Sequence, residues 1–149
     1  MRIVQFIALI FVFSGCLNEP DCIITSTNLV KIYFKKDSKT PWEITFSKIN
    51  VSGLTKDFYA GQKISFVELP VNPGDVESTF TFYFEKRVET IHLTYTKQTQ
   101  VISASCGAFT NYSNLEVTDP DTTFELNNIK IINNQLLLNA TSNLEIYLD

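Results

Sequence analysis

The chain has 149 residues, 44% of them hydrophobic and 13% aromatic, which supplies one ordinary domain with a real core and is too apolar for a disordered chain. A formal net charge of −4 with a single His gives no basic field to attract phosphates, and no cluster of Lys and Arg stands beside stacking aromatics, which argues against a nucleic-acid partner.

The first element in chain order is a targeting segment. Arg2 precedes the apolar run Ile3 to Phe13, which has the length of a signal-peptide core and is too short to span a bilayer, so residues 1–15 are read as a leader removed from the working protein. Ser14 and Gly15 then precede Cys16 in the manner of a bacterial lipobox, apart from Phe13 at the position where Leu is usual. The expected cleavage lies between Gly15 and Cys16, with Cys16 lipidated at the new N-terminus, residues 16–21 as a tether and residues 22–149 as the folded domain. The alternative is an ordinary secretory signal cut nearby, with Cys16 as a structural thiol. Loss of residues 1–15 removes only Arg2 among charged residues and leaves a formal charge of −5, so charge would not hold the domain on an anionic surface. Membrane contact is therefore expected through the lipid anchor, each buried methylene contributing ~0.8 kcal/mol.

Three cysteines in an exported chain leave one over if two pair, and acylation of Cys16 accounts for the odd one. Cys22 and Cys106 remain as the natural disulfide pair, closing a loop of about 85 residues that the loop-entropy model values at about 4 to 5 kcal/mol. Metal binding is the alternative, but these two cysteines and His92 make at most three ligands and lack C-x-x-C spacing, so no metal is expected.

From there the chain alternates with period two. Val30, Ile32 and Phe34 alternate with Lys31, Tyr33 and Lys35; segments 43–51 and 63–69 follow; and Phe80, Phe82 and Phe84 share one face of the run from Ser78 to Phe84. Ile91, Leu93 and Tyr95 alternate with His92, Thr94 and Thr96, and further strands are expected at 100–104, 114–117, 124–131, 135–139 and 144–148. Turns are marked by Val71-Asn-Pro-Gly-Asp75, by Lys35-Lys-Asp-Ser-Lys39 and by Asp119-Pro-Asp121, and Ile131-Ile-Asn-Asn-Gln-Leu136 reads as a tight hairpin inside a C-terminal antiparallel meander. About 8 to 10 short strands with no linker or repeat predict an all-β fold, a single antiparallel β-sandwich of immunoglobulin-like or Greek-key type. A Greek-key barrel is the nearest alternative, whereas a membrane-spanning barrel would need more strand length than the chain supplies.

Residues with chemistry are few. His92 is the sole imidazole, and its place among the outward positions of its strand reads as a surface polar residue rather than a catalytic base. Glu43, Glu68, Glu77, Glu85 and Glu89 are the acids that a fold would have to bring together for glycoside hydrolysis, and solvent-facing acids are far more usual. No nucleophile elbow, zinc motif or phosphate loop occurs, and neither an enzymatic role nor a cofactor is expected. Asp121-Thr-Thr123 resembles the short O-glycosylation acceptor of Bacteroidota, with Thr122 as the modified residue. Trp42, the single tryptophan, together with Phe58 and Tyr59, is the candidate ligand-contact set, against the plainer reading that Trp42 caps the core beneath a connection.

Four stretches together resemble an uncharacterised family of small Bacteroidota lipoproteins: Cys22 to Phe34, Ile64 to Asn72 with its Leu-Pro pair and following Asn, Leu93-Thr-Tyr95, and Ile102 to Phe109 with its Ser-x-x-Cys-Gly element. The resemblance implies a β fold, an outer-membrane or periplasm-facing lipid anchor and a paired Cys22 and Cys106, with no catalytic role. The function expected is that of a non-enzymatic envelope lipoprotein acting as an interaction or assembly module with an envelope protein or glycan partner. The second class is a carbohydrate- or peptide-binding accessory protein of an outer-membrane uptake system.

Overall fold

The structure is a computed structural model and describes residues 22–37, 39–118 and 122–148; the leader, Gly15, Cys16 and the tether lie outside the described residues. Strand β1, Leu29–Lys35, buries Val30, Ile32 and Phe34 completely and turns its alternate residues outward, as a strand with one covered face must. The stretch expected as one strand at 43–51 divides into β2, Ile44–Thr45, and β3, Lys48–Val51. Phe46, between them, leaves the ladder to enter the core, where its ring centroid lies 5.1 Å from Phe34 and 5.8 Å from Phe82. The next expected strand divides in the same way into β4, Lys63–Ile64, and β5, Phe66–Pro70. Strand β6, Glu77–Tyr83, carries Phe80 and Phe82 inward as its alternation requires.

Two strands expected separately are one: β7 runs 16 residues, Val88–Ser103, and turns at 104–106 into β8, Gly107–Thr118. Strand β9, Ile129–Ile131, follows a 3-10 turn at Leu126–Asn128, and β10 is Leu144–Tyr147. The strand expected at 135–139 and the hairpin at Ile131 to Leu136 do not form. Leu137 makes only an isolated bridge with Ser26, and β9 pairs with β10 instead. The physical reason is Asn143, which is fully buried. Its side-chain oxygen accepts the Lys31 amide, and its amide nitrogen donates to the carbonyls of Asn133 and Gln135, so that segment folds back upon β10 rather than extending along it.

The strands form a four-stranded sheet in the order β5-β1-β10-β9, a four-stranded sheet in the order β3-β6-β7-β8 and a two-stranded ribbon of β2 and β4. The all-β expectation therefore holds, and the expectation of purely antiparallel pairing is corrected by one mixed sheet, in which β1 pairs in parallel with β10, Ile32 opposite Leu144 and Phe34 opposite Ile146. That pairing is open to them because nearly the whole domain forms the crossover between the two strands, far more than a parallel connection needs. Side chains of the two larger sheets meet in one apolar interior, as Phe34 of β1 lies edge-on to Phe82 of β6 at 5.8 Å. Among the described residues no helix is long and apolar enough to cross a membrane.

Candidate functional site

The best-defined chemistry lies at the tip of the β7–β8 hairpin. Ser103 accepts the backbone N–H of Cys106 at 3.0 Å, and Gly107 takes a φ of 72°, the left-handed backbone that closes the turn. The turn presents Cys106 to Cys22, and the two form a disulfide with Cα atoms 5.5 Å apart. The chain leaving Cys22 is then fastened to the hairpin and to the segment at 136–138. Ser26 donates its hydroxyl to the Thr110 carbonyl, Thr27 donates to Leu136, and Leu138 donates to Thr25.

The Leu-Pro and Asn element noticed in the sequence also has a structural task. Asn72 caps Gly74 with its side-chain oxygen, donates its N–H to the buried Ser78 hydroxyl and accepts the Tyr95 hydroxyl on its carbonyl at 2.8 Å. Burial pushes the Tyr95 phenol up from its ordinary value.

The candidate aromatics separate. Phe58 and Tyr59 line an open cleft of about 510 Å³ with Lys56, Asp57, Gln62 and Glu68, and Trp42 is not part of it. Tyr59 holds a φ of 51°, unusual for a bulky residue, and is fixed there because its hydroxyl accepts the Glu68 amide at 2.9 Å. Lys56 lies 5.3 Å above the Phe58 ring. Trp42 instead donates its backbone N–H to Phe34 beside the end of β1, with Lys36 5.4 Å above its half-buried indole. The structure thus brings Phe58 and Tyr59 together and leaves Trp42 at another place.

His92 lies opposite Thr79 on the outer face of β7. Its Nδ1 is 3.0 Å from the Thr79 hydroxyl and its Nε2 is 3.5 Å from Glu77, while its backbone N–H donates to Thr122. Thr122 is buried, and its hydroxyl also donates to the Thr118 carbonyl at 2.7 Å. The oxygen of Thr122, the residue expected as a glycan acceptor, is thus enclosed and engaged on both sides. The acids are likewise distributed: Glu43 pairs with Lys63 at 3.4 Å, Glu77 faces His92, and Glu89 accepts from Thr123 at 2.6 Å.

One pair was not visible in the sequence. Lys35 of β1 reaches Glu145 of β10 diagonally across the parallel ladder, in which Lys35 stands opposite Tyr147, and the Tyr147 hydroxyl lies on the same carboxylate. Burial pushes the Glu145 carboxyl up, but the hydrogen bonds from Lys35 and Tyr147 outweigh it and hold the group below its ordinary value. The same contacts raise the Lys35 ammonium and the Tyr147 phenol. No local pattern signals residues 110 positions apart, because parallel register is settled only when the sheet forms.

These features define a disulfide-stapled all-β domain built from three sheets. Residues 48–148 match the profile of a family described as "Family of unknown function (DUF6452)", and the chain belongs to that family. No curated protein and no solved structure matches the chain.

Proposed function

We propose that the protein is a non-enzymatic cell-envelope lipoprotein, anchored in the outer membrane by acyl chains on Cys16, whose two larger sheets act as the faces of one β-sandwich serving as an interaction or assembly module. The observation that supports this best is the Cys22–Cys106 bridge. Such a bridge suits the oxidising compartment that the leader would deliver the chain to, and it uses both remaining cysteines, leaving Cys16 for acylation. The outer-membrane address rests on the resemblance to small Bacteroidota lipoproteins. The non-enzymatic reading is supported by the placement of His92, whose ring nitrogens face Thr79 and Glu77 on a strand surface.

Palmitate labelling and membrane fractionation test the anchor. Wild type is expected to be labelled and membrane-bound, and Cys16→Ala to be unlabelled and released; a variant that stays fully membrane-bound would overturn the anchor. In-cell crosslinking with mass spectrometry then identifies the envelope partner. The cleft at Phe58 and Tyr59 favours the second reading, a carbohydrate- or peptide-binding accessory role in outer-membrane uptake. Calorimetric titration with oligosaccharides and peptides checks it, and absence of binding that depends on Phe58 removes it.

A further inference from the structure

Three stretches of the chain carry no charged residue: 22–30, 98–115 and 131–144. They are far apart in sequence, and the fold gathers them at one end. The disulfide joins the first to the second, the bridge between Ser26 and Leu137 joins the first to the third, and Leu136 donates to Tyr112 while Leu115 donates to Asn134 to join the second to the third. This end also exposes aliphatic side chains. Val101 is 79% exposed, Ile23 70% and Leu138 56%, with Ile23 next to the bridging Cys22 and Leu138 bonded to Thr25. Single exposed aliphatics are ordinary on protein surfaces, but several together where three stretches without a charged residue meet mark a contact surface.

We infer that the aliphatic surface where these three stretches meet is a membrane-contact surface, seated on the lipid bilayer beside the protein's own anchor. The inference rests on the lipid-anchor reading above. The described chain begins at this end, with Cys22 only six positions from Cys16, so a fully extended tether holds Cys22 within about 20 Å of the acylated residue. The opposite end, where β6 turns into β7 through Glu85, Lys86 and Arg87, is separated from the Cys106 turn by the length of β7, roughly 50 Å of strand. A tether that short selects which end meets the bilayer.

The chemistry agrees with lipid as the occupant. No carboxylate in the three stretches repels anionic headgroups, and the Lys31 ammonium reaches this end to hold the carbonyls of Leu138 and Ala140 at 2.8 Å each. The ladder of the hairpin pairs out to Ser103 and Gly107, with an irregularity between Val101 and Ser103, and the Cys106 N–H is held by Ser103, so much of the strand backbone near the tip is satisfied within the hairpin. Exposed Gln98, Thr99 and Gln100 offer hydrogen bonds to headgroups alongside the aliphatic side chains.

The test uses the full lipidated protein, purified from a host that processes lipoproteins and reconstituted into vesicles of phosphatidylethanolamine and phosphatidylglycerol doped with a diazirine-bearing phospholipid. After photolysis, lipid adducts are mapped by mass spectrometry. Peptides covering Ile23, Val101 and Leu138 are expected to carry at least about fivefold more adduct than the peptide covering Glu85 to Arg87, and the double variant Val101→Asp with Leu138→Asp to lose about tenfold of that signal while still floating with the vesicles. Floating protein with equal adducts at both ends overturns the docking and leaves the anchor standing. Wild type that does not float overturns the anchor and the docking with it. Protection of this end in native envelope membranes but not in pure lipid assigns the face to a protein partner and likewise overturns the inference.

Discussion

At the end where β6 turns into β7, the two larger sheets are joined by rings: Phe34, Phe46, Phe82, Phe84 and Phe124 form a chain of contacts with centroids 5.1 to 6.3 Å apart. At the other end the β7–β8 hairpin runs on past the last β6 pairing, Glu77 with Thr94, and is fastened by a disulfide and by hydrogen bonds from the 25–27 and 134–138 segments. The difference teaches that apolar burial holds the structure where one sheet faces another. Where a hairpin projects beyond its facing sheet, a covalent link and paired polar groups take over that role.

Four sets of substitutions and one control probe the contrast. Phe82→Ala removes the ring at the centre of the aromatic chain and is expected to cost about 4 kcal/mol, measured by denaturant unfolding; a loss under about 1 kcal/mol would show that the ring end is not what holds the sheets together. Replacing Cys22 and Cys106 together by Ser is expected to cost about 3 kcal/mol, and hydrogen exchange should show the opening confined to the hairpin tip and the 22–27 segment. Exchange that rises equally at the ring end would erase the distinction between the two regions. Asn143→Leu keeps a similar volume but leaves the Lys31 amide and two carbonyls without partners, for an expected loss of about 2 to 3 kcal/mol by thermal unfolding.

The Lys35 and Glu145 pair is expected to show a coupling of about 1 kcal/mol in a double-mutant cycle with Lys35→Met and Glu145→Gln. The Glu145 carboxyl is lowered, so its contribution is present above its ordinary value of 4.5 and disappears as pH falls through the depressed value in the folded chain. The Lys35 ammonium is raised, so its contribution is present below 10.5 and disappears only as pH rises through the elevated value. The cycle energy is therefore expected to be flat through the neutral range and to vanish in acid. Val101→Asp, at a largely exposed position, is expected to change the stability of the domain in solution by less than about 0.5 kcal/mol, which makes it a clean probe of surface contact.

Strand positions were legible because alternation of side chains is a local property: Val30, Ile32 and Phe34, and likewise Phe80 and Phe82, had to share a face in any strand. The turn at Asn72-Pro-Gly74 was legible for the same reason, since its side chain closes its own loop. The C-terminal region was misread because Asn143, an unremarkable polar residue in the sequence, is buried and binds β1 more than a hundred positions away. The candidate aromatics were half legible. Phe58 and Tyr59 are neighbours by covalent geometry, whereas whether Trp42 joins them depended on where β1 ends.

The sequence by itself determined the all-β class and most strand positions, since each follows from local alternation, and it offered Cys22 and Cys106 as the expected pair that the fold brings together. The tertiary structure alone decided the division into three sheets, the parallel meeting of β1 with β10 and the gathering of three uncharged stretches at one end. Those are long-range choices. They are made when distant segments compete to satisfy one another's backbone hydrogen bonds and to fill one interior, and no window of neighbouring residues contains that competition.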